Sequence, residues 1–159
     1  MTAFEAARVV ATVTTVIEAP TERVFPLLCP VREEEWLPGW EAEILHSESG
    51  IAELGCVFRT DLAGRGVGTW VCTRYEPTRH IEFATFWSAG AVDRLALTLA
   101  ERRGGCSLTW HRELVGLDDT GNRYLADQDI DVVAARLRHA GEVLAHYCAT
   151  GRRWSPGSS

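Results

Sequence analysis

The stretch RYLADQDIDVVAARLRHAGEVLAHYCAT, residues 123–150, decides the fold. Ile130, Val133, Ala134, Leu137, Gly141, Leu144, Ala145 and Cys148 recur there at three- and four-residue steps, the spacing of one helical face. Asp127, Asp129, Asp131, Arg136, Arg138 and Glu142 fall mainly elsewhere. The pattern predicts one long amphipathic helix from roughly Arg123 to Thr150. Strand-like sequence precedes it, so the helix must bury its stripe against the sheet those strands form. If that sheet curves around the helix, the space between them need not be filled by side chains.

Upstream, Val9 to Ile17 is β-branched and reads as the first strand. Ala19-Pro20-Thr21-Glu22 stops it and starts a short helix, with Thr21 as N-cap and Val24, Phe25 and Leu28 as its apolar face. Pro26 keeps that helix short or irregular. Pro30 and Pro38-Gly39 bracket a second short helix, Val31 to Leu37, whose Glu33-Glu34-Glu35 run reads as a solvated face. Six strands are expected at about 41–48, 55–61, 68–76, 80–88, 92–101 and 106–116, separated by Gly, Pro and Ser turn signals. Gly64-Arg65-Gly66-Val67-Gly68 lies between two of them with no helix following, so it reads as a hairpin and not a phosphate loop.

Alternation assigns faces. Ile81, Phe83, Thr85 and Trp87 are expected inside, as are Leu95, Leu97 and Leu99, and Leu108, Trp110, Arg112 and Leu114. Val71, Thr73 and Tyr75, Phe58 and Thr60, and Ile44 with His46 are placed on the same side.

Composition excludes several classes of function. The chain has 159 residues and a formal net charge of −6, and its basic residues are all arginine apart from histidine. That balance gives no electrostatic case for nucleic acid or an anionic membrane surface. No run approaches the roughly 20 apolar residues that span a bilayer. Met1 to Arg8 lacks the basic and apolar regions of a secretory signal, so a cytoplasmic protein without membrane insertion is expected. The odd, scattered set Cys29, Cys56, Cys72, Cys106 and Cys148 fits reduced buried thiols.

This order of elements resembles the START-like or SRPBCC superfamily, whose helix-grip fold is shared by birch-pollen-type allergens and polyketide cyclases. The likeness is carried by Val16-Ile17-Glu18-Ala19-Pro20 with Val24-Phe25, and by Trp36-Leu37-Pro38-Gly39-Trp40. It continues in Tyr75-Glu76-Pro77, His80-Ile81-Glu82-Phe83 and Ser107-Leu108-Thr109-Trp110. Cys29-Pro30-Val31-Arg32-Glu33, Ser47 to Gly50 and Gly55-Cys56-Val57-Phe58 are similar to a bacterial subgroup without an assigned activity. The resemblance implies an α+β fold: a seven-stranded antiparallel sheet curved around a long C-terminal helix, with two short helices after the first strand. Residues 1–150 would form a single START-like ligand-binding domain, and 151–159 a disordered polar tail.

The function implied is binding of a hydrophobic, ring-containing small molecule, a lipid or polyketide, between sheet and helix. Two other readings stay open: a cofactor-free enzyme of the polyketide cyclase/aromatase kind, and a regulator of a partner protein. A monomer or homodimer is expected. The candidate ligand-binding residues are Trp36, Trp40, His46, Phe58, Tyr75, Phe83, Trp87, Trp110, Arg112, Leu137 and Leu144. Ligand pockets are mostly apolar and aromatic with a few polar groups, and this chain is rich in tryptophan. Arg112, Tyr75 and His46 are the candidates for catalysis: a guanidinium or phenol to stabilise an enolate, an imidazole for proton transfer. A buried Arg112 needs a partner, for which Glu33, Glu34, Asp129 and Asp131 are candidates. A one-residue slip would instead bring His111 and Glu113 inward. Cys29, Cys56 and His46 lack the close paired spacing of a zinc site, and no nucleophile elbow is present.

Overall fold

A computed structural model describes residues 3–157. The seven strands are β1 (Arg8–Ile17), β2 (Glu43–His46), β3 (Val57–Leu62), β4 (Gly66–Glu76), β5 (His80–Trp87), β6 (Ala91–Arg102) and β7 (Gly105–Gly116). They form one antiparallel curved sheet in the order β1-β7-β6-β5-β4-β3-β2. After β1 come a single helical turn, α1 (Thr21–Val24), and two 3-10 turns, Phe25–Leu28 and Arg32–Glu35. They carry the chain from one sheet edge to the other. Pro26 at the start of the first 3-10 turn explains why α1 goes no further. This is the helix-grip arrangement.

The terminal helix differs from the reading of residues 123–150 as one element. It is split into α2 (Asp119–Asp127) and α3 (Ile130–Thr150). Gln128 leaves helical geometry, and the Asp129 side chain accepts a hydrogen bond from the Val132 N–H at 2.9 Å, capping α3. Asp competes for backbone donors within a helical run, and an N-cap is where it is favoured. The Asp118 carboxylate does the same for α2, accepting from the Gly121 N–H at 2.7 Å. At its far end α3 stops at Gly151, whose left-handed φ of 71° turns the chain away. The expected tail is described as far as residue 157, and Trp154 in it packs half-buried against His139, ring centroids 5.2 Å apart. Ser158 and Ser159 lie outside the described residues.

Alternation read the faces of β3, β5, β6 and β7 correctly. In β4 it failed: Trp70 and Cys72 are buried, whereas Val71 is half-buried and Thr73 exposed. A bulge between Cys72 and Arg74 then returns Tyr75 to the inner side, opposite Ile81. One inserted residue reverses the parity on either side of it. A second irregularity, between Ile44 and His46, leaves His46 exposed on the edge strand β2.

α3 crosses β1 closely, and Gly141 makes the approach possible. A Cβ at this position would overlap the Thr15 side chain. Gly141→Ala should gain about 1 kcal/mol of helix propensity. Overpacking against Thr15 costs about 1–3 kcal/mol, so the net effect should be a loss of up to about 2 kcal/mol in urea unfolding. Thr15→Ala in the same chain should restore part of it. A Gly141→Ala protein more stable than the parent would show that the helix sits further from β1.

Candidate functional site

Between the inner face of the sheet and α3 lies a cavity of about 270 Å³. The sheet contributes Phe58, Trp70, Phe83, Leu95, Trp110 and Arg112; α3 contributes Arg136, Leu137 and Ala140. Leu37, Pro38, Gly39 and Trp40 line it from the loop after the second 3-10 turn. The aromatic wall is continuous. Phe58 stacks on Trp70 with centroids 5.4 Å apart, and Trp40 and Phe83 meet Trp70 edge-on at 5.6 and 6.1 Å. These offset and perpendicular contacts fix the ring planes.

One side of the cavity is charged. Arg112 is only 4% exposed, and its Nε lies 3.3 Å from the Oδ2 of Asp93, which is 1% exposed. The same carboxylate oxygen accepts a hydrogen bond from the Trp87 indole at 2.8 Å. The charges attract at this separation, but the geometry leaves Arg112 Nε and Nη2 without an aligned hydrogen bond. The buried Trp110 indole N–H has no partner among the described residues either.

Two further arginines join them. The Arg65 guanidinium lies 4.5 Å from the centroid of the Trp87 ring, a cation–π contact. Burial pushes its pKa down to about 9, with Arg112 and Arg136 adding repulsion and Asp93 opposing, and it stays charged at neutral pH. Arg136 donates to the Gln128 Oε1 at 2.8 Å, and Gln128 Nε2 donates to the Gly64 carbonyl at 3.3 Å. The break between α2 and α3 thus ties the helix to the β3–β4 turn at the cavity edge. Burial, then the Arg112 charge, holds Arg136 below its ordinary range.

Glu33 also lines the cavity, so the acidic run is not a uniform solvated face. Glu34 and Glu35 are exposed; Glu35 pairs with Arg32 at 3.1 Å and accepts from the Tyr147 hydroxyl. Burial raises the Glu33 carboxyl to about 8, against the opposing pull of the Arg112 charge.

Of the residues expected to bind a ligand, Trp40, Phe58, Phe83, Trp110, Arg112 and Leu137 line this cavity. The others stand elsewhere. Trp36 is fully buried beneath the 3-10 turns, donating its indole N–H to the Leu27 carbonyl at 2.8 Å. Leu144 is likewise fully buried in the core. Trp87 forms a second layer behind Arg65 and Asp93. His46 is exposed, a consequence of the β2 irregularity. Tyr75 packs on Phe25 at 5.6 Å and lines a different cleft of about 370 Å³, with Cys29, Ala52 and Pro77. In that cleft the charged side chain, Arg32, is already paired with Glu35. The three catalytic candidates, Arg112, Tyr75 and His46, therefore do not meet at one point.

Sequence reasoning missed Asp93 as the partner of Arg112; Glu34, Asp129 and Asp131 do not hold it. The signal was present, since Asp93 shares parity with Leu95, Leu97 and Leu99. The inward face of Trp70 was hidden by the bulge. Arg65 lay in a turn whose glycines drew attention away from it.

No protein-family model matches the chain, and no curated protein matches it in sequence. Solved structures do resemble it. SA2116 from Staphylococcus aureus, of unknown function, matches with a TM-score of 0.70 at 12% identity, over 92% of this chain and 97% of that one. CalU16 from Micromonospora echinospora matches with a TM-score of 0.59 at 17% identity, over 95% and 87%. DynU16, a protein of the dynemicin biosynthetic locus, matches with a TM-score of 0.67 at 17% identity over 91% of this chain. The chain spans about half of DynU16, 49% of its length. The shared property is the helix-grip fold. Among the described residues, no helix is long and apolar enough to cross a membrane.

Proposed function

We propose that the protein binds a hydrophobic, ring-containing small molecule in the cavity between the sheet and α3. The carrying observation is the continuous aromatic wall of Trp40, Phe58, Trp70 and Phe83, with Trp110 also lining that space. Burying a ring against it gains about 25 cal/mol per Å² of apolar surface removed from water. A roughly 150 Å³ apolar cavity accommodates benzene, so about 270 Å³ suits a body of one to two rings. The fold of DynU16, a protein from a biosynthetic locus, adds support to this reading. Binding is preferred to cyclase-like catalysis because Tyr75 and His46 stand outside the cavity.

Ala140 offers a direct test. It lines the cavity from α3 and is half-buried, so Ala140→Phe places a ring where the ligand would lie. Titrating one- and two-ring aromatic compounds against tryptophan fluorescence should give saturable quenching in the parent. In the Ala140→Phe protein the affinity should fall at least tenfold, about 1.4 kcal/mol, with the unfolding midpoint little changed. Equal affinity in both proteins would place the ligand elsewhere.

A further inference from the structure

The ligand's polar end can be read from the hydrogen-bonding capacity left over in the cavity. Among the described residues, Arg112 Nε and Nη2 and the Trp110 indole are buried donors without an aligned acceptor, and Asp93 Oδ1 and the Thr85 hydroxyl are likewise unpartnered. Neither a guanidinium nor an indole N–H can accept a hydrogen bond. Arg65 contributes a second cation, held by the Trp87 ring and by no carboxylate among the described residues. Arg136 contributes a third, whose partner among the described residues is the neutral Gln128 amide. Against three arginines stand two carboxyl groups: Asp93, 3.3 Å from Arg112 Nε and already accepting from Trp87 through the same oxygen, and Glu33 on the cavity wall. Burying such donors without acceptors is costly, and several like charges gathered together add repulsion. An anion entering the cavity relieves both penalties at once.

We infer that the ligand carries a carboxylate, seated against Arg112, Arg65 and the Trp110 indole, with its ring body along the Trp40–Phe58–Trp70 wall. This inference rests on the proposed binding function and specifies the chemical class of the ligand. Arginine suits the task, because its planar donors match a carboxylate's two oxygens. Glu33, half-buried on the same cavity, is a weaker competitor, because burial raises its carboxyl to about 8. A neutral ring compound would leave the donors unsatisfied and so bind more weakly.

The test uses matched pairs of probes: 1- and 2-naphthoate and biphenyl-4-carboxylate, each against its primary amide. Affinities are measured by calorimetry at pH 6.5 and low salt. Each acid that binds should do so at least tenfold more tightly than its amide. Arg65→Gln should cut that preference severalfold. The double variant Arg112→Met/Asp93→Asn, which avoids stranding a buried charge, should abolish it. Acid and amide binding equally, both blocked by Ala140→Phe, would overturn the carboxylate and leave the cavity function standing. Failure of every probe to bind would overturn both.

Discussion

Replacing Arg112 with methionine is expected to destabilise the fold by about 3–5 kcal/mol, because it strands a charged Asp93 in the core. The Asp93 side chain is inaccessible to solvent and the Arg112 side chain is 5% exposed. Taking either charge out of water costs several kcal/mol, which their attraction offsets only while both are present. Asp93→Asn in the Arg112→Met background removes the second charge and leaves an amide oxygen to accept from the Trp87 indole. The double variant should therefore recover most of the loss. A double-mutant cycle by urea unfolding measures the coupling directly. A single variant costing less than about 1 kcal/mol, with no recovery in the double, would show that the pair is solvated.

Glu33 should make the protein less stable as the pH rises from about 4.5 to 8. Its carboxyl is raised from an ordinary value of 4.5 to about 8, chiefly by burial. Across that interval the folded protein keeps a proton that the unfolded chain has released, so rising pH favours unfolding. The stabilising difference is whole below the unfolded value and is lost through the folded one. Glu33→Gln cannot ionise and should remove this slope. At about 1.4 kcal/mol per pH unit the limiting gain at pH 8 is about 5 kcal/mol, and partial solvent access reduces the expected gain to about 2–3 kcal/mol. The two proteins should be nearly equal in stability at pH 4.5 and diverge toward pH 8. Parallel curves would mean that Glu33 faces water. The charged groups that share the cavity with it are Arg112 from β7, Arg65 from the β3–β4 turn and Arg136 with His139 from α3, and Asp93 lies behind Arg112.

The fold was legible because its signals were local and repeated. Seven runs of strand-forming residues were each bounded by turn residues, and the final stripe had a helical period. Alternation was enough to put Arg112 beside Leu108, Trp110 and Leu114. Single-residue irregularities were not legible, since a bulge arises where twist and closure demand it and leaves no mark in composition. Those at Thr73 and Leu45 misplaced Val71, Thr73 and His46, and the first also concealed the inward face of Trp70. Asp129 illustrates a different limit. Its place as a cap was readable in principle, yet the apolar period ran past it and suggested one unbroken helix. Glu33 shows the third: three consecutive glutamates look alike until a 3-10 turn directs one inward.

Ring-containing molecules are expected to occupy the space lined by Trp40, Trp70 and Trp110. The most direct measurement is the set of six tryptophan indole N–H resonances, followed by two-dimensional NMR during titration with 2-naphthoate. Trp110 should shift most, because its unpartnered N–H gains an acceptor, and Trp40 and Trp70 should shift with the same saturation. Trp36, bonded to Leu27 away from the cavity, should stay in place. Saturable binding that leaves Trp40, Trp70 and Trp110 unmoved would contradict the account.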